Sequence, residues 1–225
     1  MRVLIAGAGS VGRSIALELL AHGHTVTLVD HEPGAMRVAS VAQAEWLLAD
    51  ACSPRALTEA GAGESDVVVA ATGDDKANLV VSLLAKSEFA VPRVVARINN
   101  PRNEWMFTET WGVDVPVSTP RIMTSLVEEA VSVGDLVPLF RFHRSGASIH
   151  ELTLPDGSPV VGHRVGTVDL GPHAVLAAVM RSGTAYGVEP DLTLEAGDEL
   201  LLVLSAQGQD DLDQLQEQLA PRAQD

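Results

Sequence analysis

The sequence is poor in several residue types, and each shortage excludes a class of protein. Its single cysteine, Cys52, excludes an internal disulfide and a cysteine-based metal site, and fits a reducing compartment. Fifteen basic residues stand against 30 acidic ones, and the net charge of −15 opposes binding to nucleic acid or to an anionic lipid surface. No apolar run approaches the ~18 residues that cross a bilayer, and Val3–Ala6 stops at Gly7 without a cleavage-type end. We therefore expect a cytoplasmic protein that reaches a membrane only through a protein partner.

The remaining composition is that of a folded chain with room for two domains. Its 225 residues are 46% hydrophobic and 20% charged, which excludes disorder over most of the length. Up to about Asp135, short β-branched runs alternate with helical patterns, which is typical of an α/β fold with a doubly wound, Rossmann-like parallel sheet. The predicted strands are Val3–Ala6, Thr25–Val29, Ala44–Leu48, Val67–Ala71, Val94–Ile98 and Val113–Val117. The predicted helices are Ser10–His22, Pro33–Val41, Pro54–Ala60, Lys76–Glu88 and Pro101–Trp111.

The pattern changes in the last 90 or so residues, where it predicts a smaller, strand-rich α+β domain. Helix Pro120–Val133 carries apolar residues at helical spacing and is predicted to be a connector, whose apolar side either forms an assembly surface or packs within the chain. Four short strand candidates follow, separated by glycine turns: Leu136–Phe142, Ser148–Leu154, Ala174–Met180 and Glu199–Leu204. We expect domains at 1–119 and 136–206, a connector at 120–135, and an acidic amphipathic helix and tail at 207–225.

A glycine-rich loop follows the first predicted strand and opens a helix. In the motif Gly7-Ala8-Gly9-Ser10-Val11-Gly12, the first glycine permits a tight turn, the second lets a pyrophosphate approach the backbone, and the third lets helix and strand pack closely. Asp30 closes the next strand, eighteen residues after Gly12, where a carboxylate accepts hydrogen bonds from ribose hydroxyls and repels a 2′-phosphate. Because strand, motif, helix and acid are in register, we predict a site for NAD or an adenine nucleotide rather than a glycine turn beside a solvated aspartate.

Three other strand ends are expected at the same crevice, because ligands of open α/β sheets lie beyond the carboxyl ends of the strands. The first carries Asp50, Ala51 and Cys52, which are either cofactor contacts or ordinary loop residues. The others carry Thr72, Gly73 and Asp74, and Arg97; Thr72 offers a hydroxyl, and Arg97 is either a phosphate ligand or one half of a structural ion pair.

Groups that could donate a proton to a substrate are scarce. The chain has two lysines, Lys76 and Lys86, and one tyrosine, Tyr186. Its histidines show no pair at metal-ligand spacing: His22, His24, His31, His143, His150, His163 and His173. We therefore expect neither a catalytic set nor a metal site, and keep a small NAD-dependent oxidoreductase as the alternative.

Taken together, these motifs closely resemble those of TrkA-type potassium-uptake regulatory proteins, which carry an RCK N-domain and a TrkA C-domain. The resemblance rests on the glycine loop, Asp30, residues 70–78 (AATGDDKAN) and 95–101 (VARINNP), and on Gly112-Val113-Asp114 before Ser118-Thr119-Pro120, and it extends over about 1–205. One departure is Ser10, which stands where some members have an arginine that reaches a terminal phosphate; Arg13 is the nearest possible substitute.

The resemblance implies a cytoplasmic gating subunit, not an enzyme, peripheral to the membrane through a Trk/Ktr-like potassium transporter. It implies NAD or NADH, alternatively ADP or ATP, in the crevice, and a homo- or hetero-oligomeric RCK ring. It carries the nucleotide contacts onto Gly7, Ala8, Gly9, Ser10, Val11, Asp30, Thr72, Gly73 and Arg97. A nucleotide-binding redox regulator unconnected to potassium stays open as a further alternative.

Overall fold

A computed structural model describes residues 1–142 and 145–220 of the chain. His143 and the end of the predicted acidic tail, residues 221–225, lie outside the described residues. The chain divides into two compact units, Met1–Arg121 and Ile122–Asp225, so that the boundary falls inside the predicted connector helix. Within the described residues, no helix is both long enough and apolar enough to cross a membrane.

The first unit contains a six-stranded parallel sheet with helices, which confirms the predicted Rossmann-like fold. Its strands are β1 (Arg2–Ala6), β2 (Thr25–Asp30), β3 (Glu45–Leu48), β4 (Val67–Ala70), β5 (Arg93–Ile98) and β6 (Val115–Ser118). They are ordered β3-β2-β1-β4-β5-β6, with the reversal between β1 and β4 that marks the ligand crevice of doubly wound sheets. The helices are α1 (Ser10–Ala21), α2 (Pro54–Glu59) and α3 (Asp75–Ser87), and α4 (Thr119–Val131) follows β6 directly.

The central strands are apolar on both faces because helices cover both faces of the sheet. Leu4 and Ile5 are adjacent on β1 and point to opposite sides, and both are fully buried, each in a separate core cluster. Ala6 at the end of β1 lies in register with Val29 on one side and Ala70 on the other. The carboxyl ends of β1, β2 and β4 therefore lie at the same edge of the sheet, and the loops that follow these strands lie next to one another.

Two predicted helices of this unit are wrong. Pro33–Val41 forms two short 3₁₀ turns, Pro33–Ala35 and Val38–Val41, because Gly34 and the β-branched valines do not sustain an exposed α-helix. Pro101–Trp111 likewise forms 3₁₀ segments at Pro101–Met106 and Glu109–Trp111. Phe107 interrupts that run, because its side chain turns into the core, where it is 3% exposed.

The described residues of the second unit contain a five-stranded antiparallel sheet, the greater part of α4 and a helix that packs on the sheet, which is the strand-rich α+β unit expected. The strands are β7 (Val137–Arg141), β8 (Ser148–Thr153), β9 (Ala174–Arg181), β10 (Thr184–Tyr186) and β11 (Glu199–Leu204), in the order β10-β9-β11-β8-β7. Helix α5 (Leu212–Leu219) buries Leu215 and Leu219 in the core of this unit. The sequence reading missed β10, which is three exposed residues long and follows a turn with Ser182 at φ 51° and Gly183 at φ 76°.

Candidate nucleotide-binding site

A cavity of about 530 Å³ lies at the carboxyl ends of the parallel strands of the first unit. It is lined by twelve of the fourteen residues that the sequence singled out: Gly7, Gly9, Ser10, Val11, Asp30, Asp50, Ala51, Cys52, Thr72, Gly73, Asp74 and Arg97. The other two, Ala8 and Gly12, are buried directly behind the glycine loop. The folded chain thus brings four separate strand ends to one crevice.

The three glycines have different surroundings, which match the roles that the motif assigns to them. Gly7 has φ +108°, and a Cβ there would lie 2.8 Å from the backbone of Ala71 and Thr72. A Cβ on Gly12 would lie 1.9 Å from the Gly7 carbonyl oxygen, so α1 can pass this close to the loop only without a side chain. Nothing lies within 4 Å of a Cβ on Gly9, which leaves open space above the loop for a ligand.

Helix α1 begins beneath that open space without a side-chain cap. Gly9 is its N-cap residue and has no side chain that could accept a hydrogen bond from the first turn. The free N–H groups and the positive end of the helix dipole therefore face the crevice, which suits the phosphates of a nucleotide. Arg13 does not line the cavity; its guanidinium donates a hydrogen bond to the Ala8 carbonyl.

Asp30 is fixed at the end of β2 by two backbone donors. Its Oδ2 accepts a hydrogen bond from the Ala8 N–H at 2.7 Å, and its Oδ1 accepts one from the Glu32 N–H at 2.9 Å. The side chain is only 14% exposed, yet it lines the cavity. Each carboxylate oxygen keeps a lone pair for a ribose hydroxyl. Ala8, which was expected to contact the pyrophosphate, is fully buried and uses its amide to orient Asp30.

The end of β3 contributes a carboxylate and a thiol. Asp50 Oδ1 accepts a hydrogen bond from the Cys52 N–H at 2.9 Å, which fixes the turn between them. Burial, reinforced by the neighbouring carboxylates Asp50 and Asp74, raises the pKa of the Cys52 thiol to about 11. The thiol is therefore protonated at neutral pH, which does not favour a role as a nucleophile.

The ends of β4 and β5 add Thr72, Gly73, Asp74 and Arg97. Asp74 is the N-cap of α3, and its Oδ1 accepts a hydrogen bond from the Lys76 N–H at 2.8 Å. Arg97 donates from Nε to Thr119 Oγ1 at 3.3 Å and forms no ion pair in the described part of the chain. It is the single arginine or lysine among the lining residues, so its guanidinium is available for a phosphate.

The sequence reading missed several residues that line the cavity. His31 and Glu32 directly follow Asp30, so the end of β2 was the available signal for both. Ala77 and Val81 enter from α3 and lie four residues apart, which places them on one helix face. Their spacing is visible in the sequence, but an apolar pair at helical spacing does not distinguish a cavity wall from a packed core.

An open parallel sheet in this order, with a glycine loop and a fixed acid beyond the second strand, defines the class of dinucleotide-binding Rossmann-type domains. Family models match both units: the TrkA-N domain over residues 3–119 and the TrkA-C domain over residues 149–217. The chain therefore belongs to the TrkA family, which confirms the resemblance drawn from its motifs.

Curated relatives support the same assignment over nearly the whole chain. A Trk system potassium uptake protein TrkA from Mycobacterium tuberculosis is 50% identical over 215 residues, which cover 96% of this chain and 98% of that protein. A homolog of that protein from Methanothermobacter thermautotrophicus is 31% identical over 205 residues, covering 91% and 94%.

Solved structures share the fold at low sequence identity. The GsuK RCK domain has a TM-score of 0.65 at 17% identity and covers 100% of this chain and 48% of its own. The GsuK channel bound to NAD has a TM-score of 0.68 at 16% identity, with coverage of 100% and 40%. The TrkA-N domain of the Escherichia coli inner membrane protein ybaL reaches 0.53 at 16% identity over 58% of this chain. This chain thus spans less than half the length of both GsuK chains.

Proposed function

We propose that this chain is the nucleotide-binding regulatory subunit of a Trk-type potassium uptake system. The observation that carries the proposal is the crevice. The open space at Gly9, an uncapped helix N-terminus, the anchored Asp30 and Arg97, which forms no ion pair in the described residues, together match an NAD or adenine nucleotide. The relative that is 50% identical is a potassium uptake protein by name, and we therefore infer that the transported ion is potassium.

The nucleotide is NAD or NADH, with ADP or ATP as the alternative occupants of the same crevice. GsuK, which shares this fold, has been solved with NAD bound and with ADP bound. Asp30 suits the ribose of all four, whereas the single arginine of the lining limits how much phosphate charge is neutralised.

Regulation requires two states of the assembly that bind nucleotides with different affinities, since a ligand of equal affinity shifts no equilibrium. We place the subunit on the cytoplasmic side, docked on a membrane-embedded Trk/Ktr-like potassium transporter. Several RCK copies, identical or paired with a second chain, form a ring there, and nucleotide exchange changes the angle between subunits. The ring and the docking rest on the family resemblance.

The first test is calorimetric titration of the purified full-length protein with NAD, NADH, ADP and ATP. Asp30→Ala removes the ribose acceptor, and we expect its affinity to fall by about 10-fold or more, as for a lost hydrogen bond to a charged group. Asp156→Ala is the matched control, because Asp156 is an exposed turn residue of the second unit. Absence of binding to all four nucleotides would overturn the proposal.

A second test separates regulation from catalysis. The gene for this chain is deleted from its own host, the deletion strain is complemented with the wild type or with Asp30→Ala, and potassium uptake is measured before and after complementation. We expect uptake to be restored by the wild type only. Normal uptake without the gene would favour a regulator unconnected to potassium, and NADH turnover with a carbonyl substrate would favour the oxidoreductase.

A further inference from the structure

Asn78 joins two sides of the crevice from behind. It lies in the first turn of α3, has no exposed surface, and is not part of the cavity lining. Its Oδ1 accepts hydrogen bonds from the Thr72 N–H at 2.9 Å and from Thr72 Oγ1 at 2.7 Å. Its Nδ2 donates to the carbonyl oxygens of Thr72 at 3.2 Å and Arg97 at 2.9 Å.

These four contacts use the full hydrogen-bonding capacity of the amide, which has two donors and two acceptor lone pairs. They also fix its orientation. A flipped amide would place Nδ2 against the Thr72 N–H and Oδ1 against two carbonyl oxygens, so every contact with the backbone would become repulsive. Asn78 is therefore a rigid bridge of one defined geometry.

The bridge lies where the sheet no longer joins the two strands. The parallel pairing of β4 with β5 ends at Ala70 and Ala96. Beyond that pair, the connection between Thr72 and the end of β5 is made by side chains: Asn78 reaches the Arg97 carbonyl, and Asn99 Nδ2 donates to the Thr72 carbonyl at 3.1 Å. Beyond Ala70 and Ala96, the two crevice walls are therefore connected by side-chain amides, those of the buried Asn78 and the partly buried Asn99, while Arg97 remains paired with Val117 of β6 on its other side.

We propose that Asn78 is a positioning residue of the nucleotide site, which holds the Arg97 backbone at the distance from Thr72 at which the guanidinium binds a nucleotide phosphate. The inference rests on the proposed function. The side chain of Arg97 has one weak polar partner, Thr119 Oγ1 at 3.3 Å, and no ion pair in the described residues, so the position of its guanidinium depends on where the backbone is held. A cation held in place before binding loses less conformational freedom when the phosphate arrives.

A double-mutant cycle between Asn78→Ala and Arg97→Ala tests this, with NAD affinity measured by calorimetry on the full chain. Arg97→Ala is expected to weaken NAD binding by roughly 10-fold, as for the loss of one charge-assisted contact, and Asn78→Ala by a similar factor, because it displaces the same guanidinium. If Asn78 acts through Arg97, the double variant binds within about twofold of Arg97→Ala alone, whereas independent effects multiply to about 100-fold. Multiplying effects would overturn the proposal.

The matched control is Ser82→Ala. Ser82 is also fully buried in α3, and its Oγ donates to the Asn78 carbonyl at 2.7 Å, but it reaches neither Thr72 nor Arg97. This variant is expected to lose stability and to keep the NAD affinity; an equal loss of affinity would show that any weakening of α3 suffices and would overturn the positioning role. If Asn78→Ala does not fold, Asn78→Ser takes its place in the cycle.

The cycle also separates this inference from the proposed function. If the wild-type protein binds no nucleotide, the proposed function fails and the inference fails with it. If the wild type binds NAD but Arg97→Ala costs less than about twofold, the site stands and only the inference is overturned.

Discussion

At the scale of single residues, the crevice depends on which positions have room for a side chain. Gly9 and Gly12 belong to one six-residue motif; Gly9 is the N-cap of α1 and faces open space, whereas Gly12 lies within its first turn and faces the Gly7 carbonyl. We propose that the first lacks a side chain so that a ligand can approach, whereas the second lacks one so that helix and loop can pack closely. Substitution by alanine should therefore separate binding from stability.

We expect Gly12→Ala to destabilise the protein by about 3 kcal/mol or more, because its Cβ would lie 1.9 Å from a backbone oxygen that cannot move away. Gly9→Ala should keep the stability within about 1 kcal/mol, since Gly9 has φ −63° and an open surrounding, and should lose nucleotide affinity. Urea unfolding and calorimetry measure the two effects. Similar stability of both variants would contradict this assignment.

At the scale of elements, β8 carries two buried titratable neighbours to opposite faces of the second sheet. His150 lies 2.9 Å from Ser148 Oγ through Nε2, its Nδ1 has no partner in the described residues, and burial lowers its pKa. Glu151 is 6% exposed, and its pKa is raised, chiefly by burial. A hydrogen bond from Thr153 lowers the pKa in part, whereas the charges of Glu129 and Glu199 add to the rise. Burial therefore disfavours the charged form of both side chains.

Glu151→Gln should stabilise the protein at neutral pH by roughly 0.5–1 kcal/mol. A carboxyl whose pKa is raised on folding contributes stability below its unfolded pKa, and that contribution is lost as the pH rises through the folded pKa. Glutamine keeps an acceptor for Thr153 and carries no charge, so its advantage should vanish near pH 4. Thermal unfolding at pH 4 and pH 7 tests this. An advantage independent of pH would point to packing instead.

At the scale of the whole molecule, each unit has its own hydrophobic core. The core clusters on the two sides of the parallel sheet involve residues up to Val113, and that of the antiparallel sheet begins at Leu136. Every residue that lines the candidate site lies in the first unit. A ligand bound at the site is therefore expected to stabilise the first unit directly and not the second.

Saturating NAD should raise the unfolding temperature of the first unit and leave that of the second unchanged. A ligand at 100 times its Kd stabilises the form that binds it by about 2.7 kcal/mol. Differential scanning calorimetry of the full chain measures both transitions, with Asp30→Ala as the control, which should show a smaller shift at the same NAD concentration because its affinity is lower. A single transition that shifts as a whole would contradict independent unfolding of the units.

Much of the fold and most of the lining could be predicted because their signals are local in the sequence. A loop with three spaced glycines between a β-branched run and a helix is typical of a dinucleotide-binding turn. Asp30 follows directly at the end of the next β-branched run, so its position is also visible in the sequence. The helices at Pro33–Val41 and Pro101–Trp111 were wrong because Gly34 and the burial of Phe107 outweighed their helical patterns.

The sequence by itself therefore determined the sheet, the glycine loop, the acid and the family, because steric and periodic constraints act between near neighbours. Only the tertiary structure decided what Ala8 and Asn78 do. The Ala8 amide binds a carboxylate 22 residues away, and the Asn78 amide binds a carbonyl 19 residues away. Hydrogen bonds of this range leave no periodic pattern, since they exist only after the strands have brought their ends together.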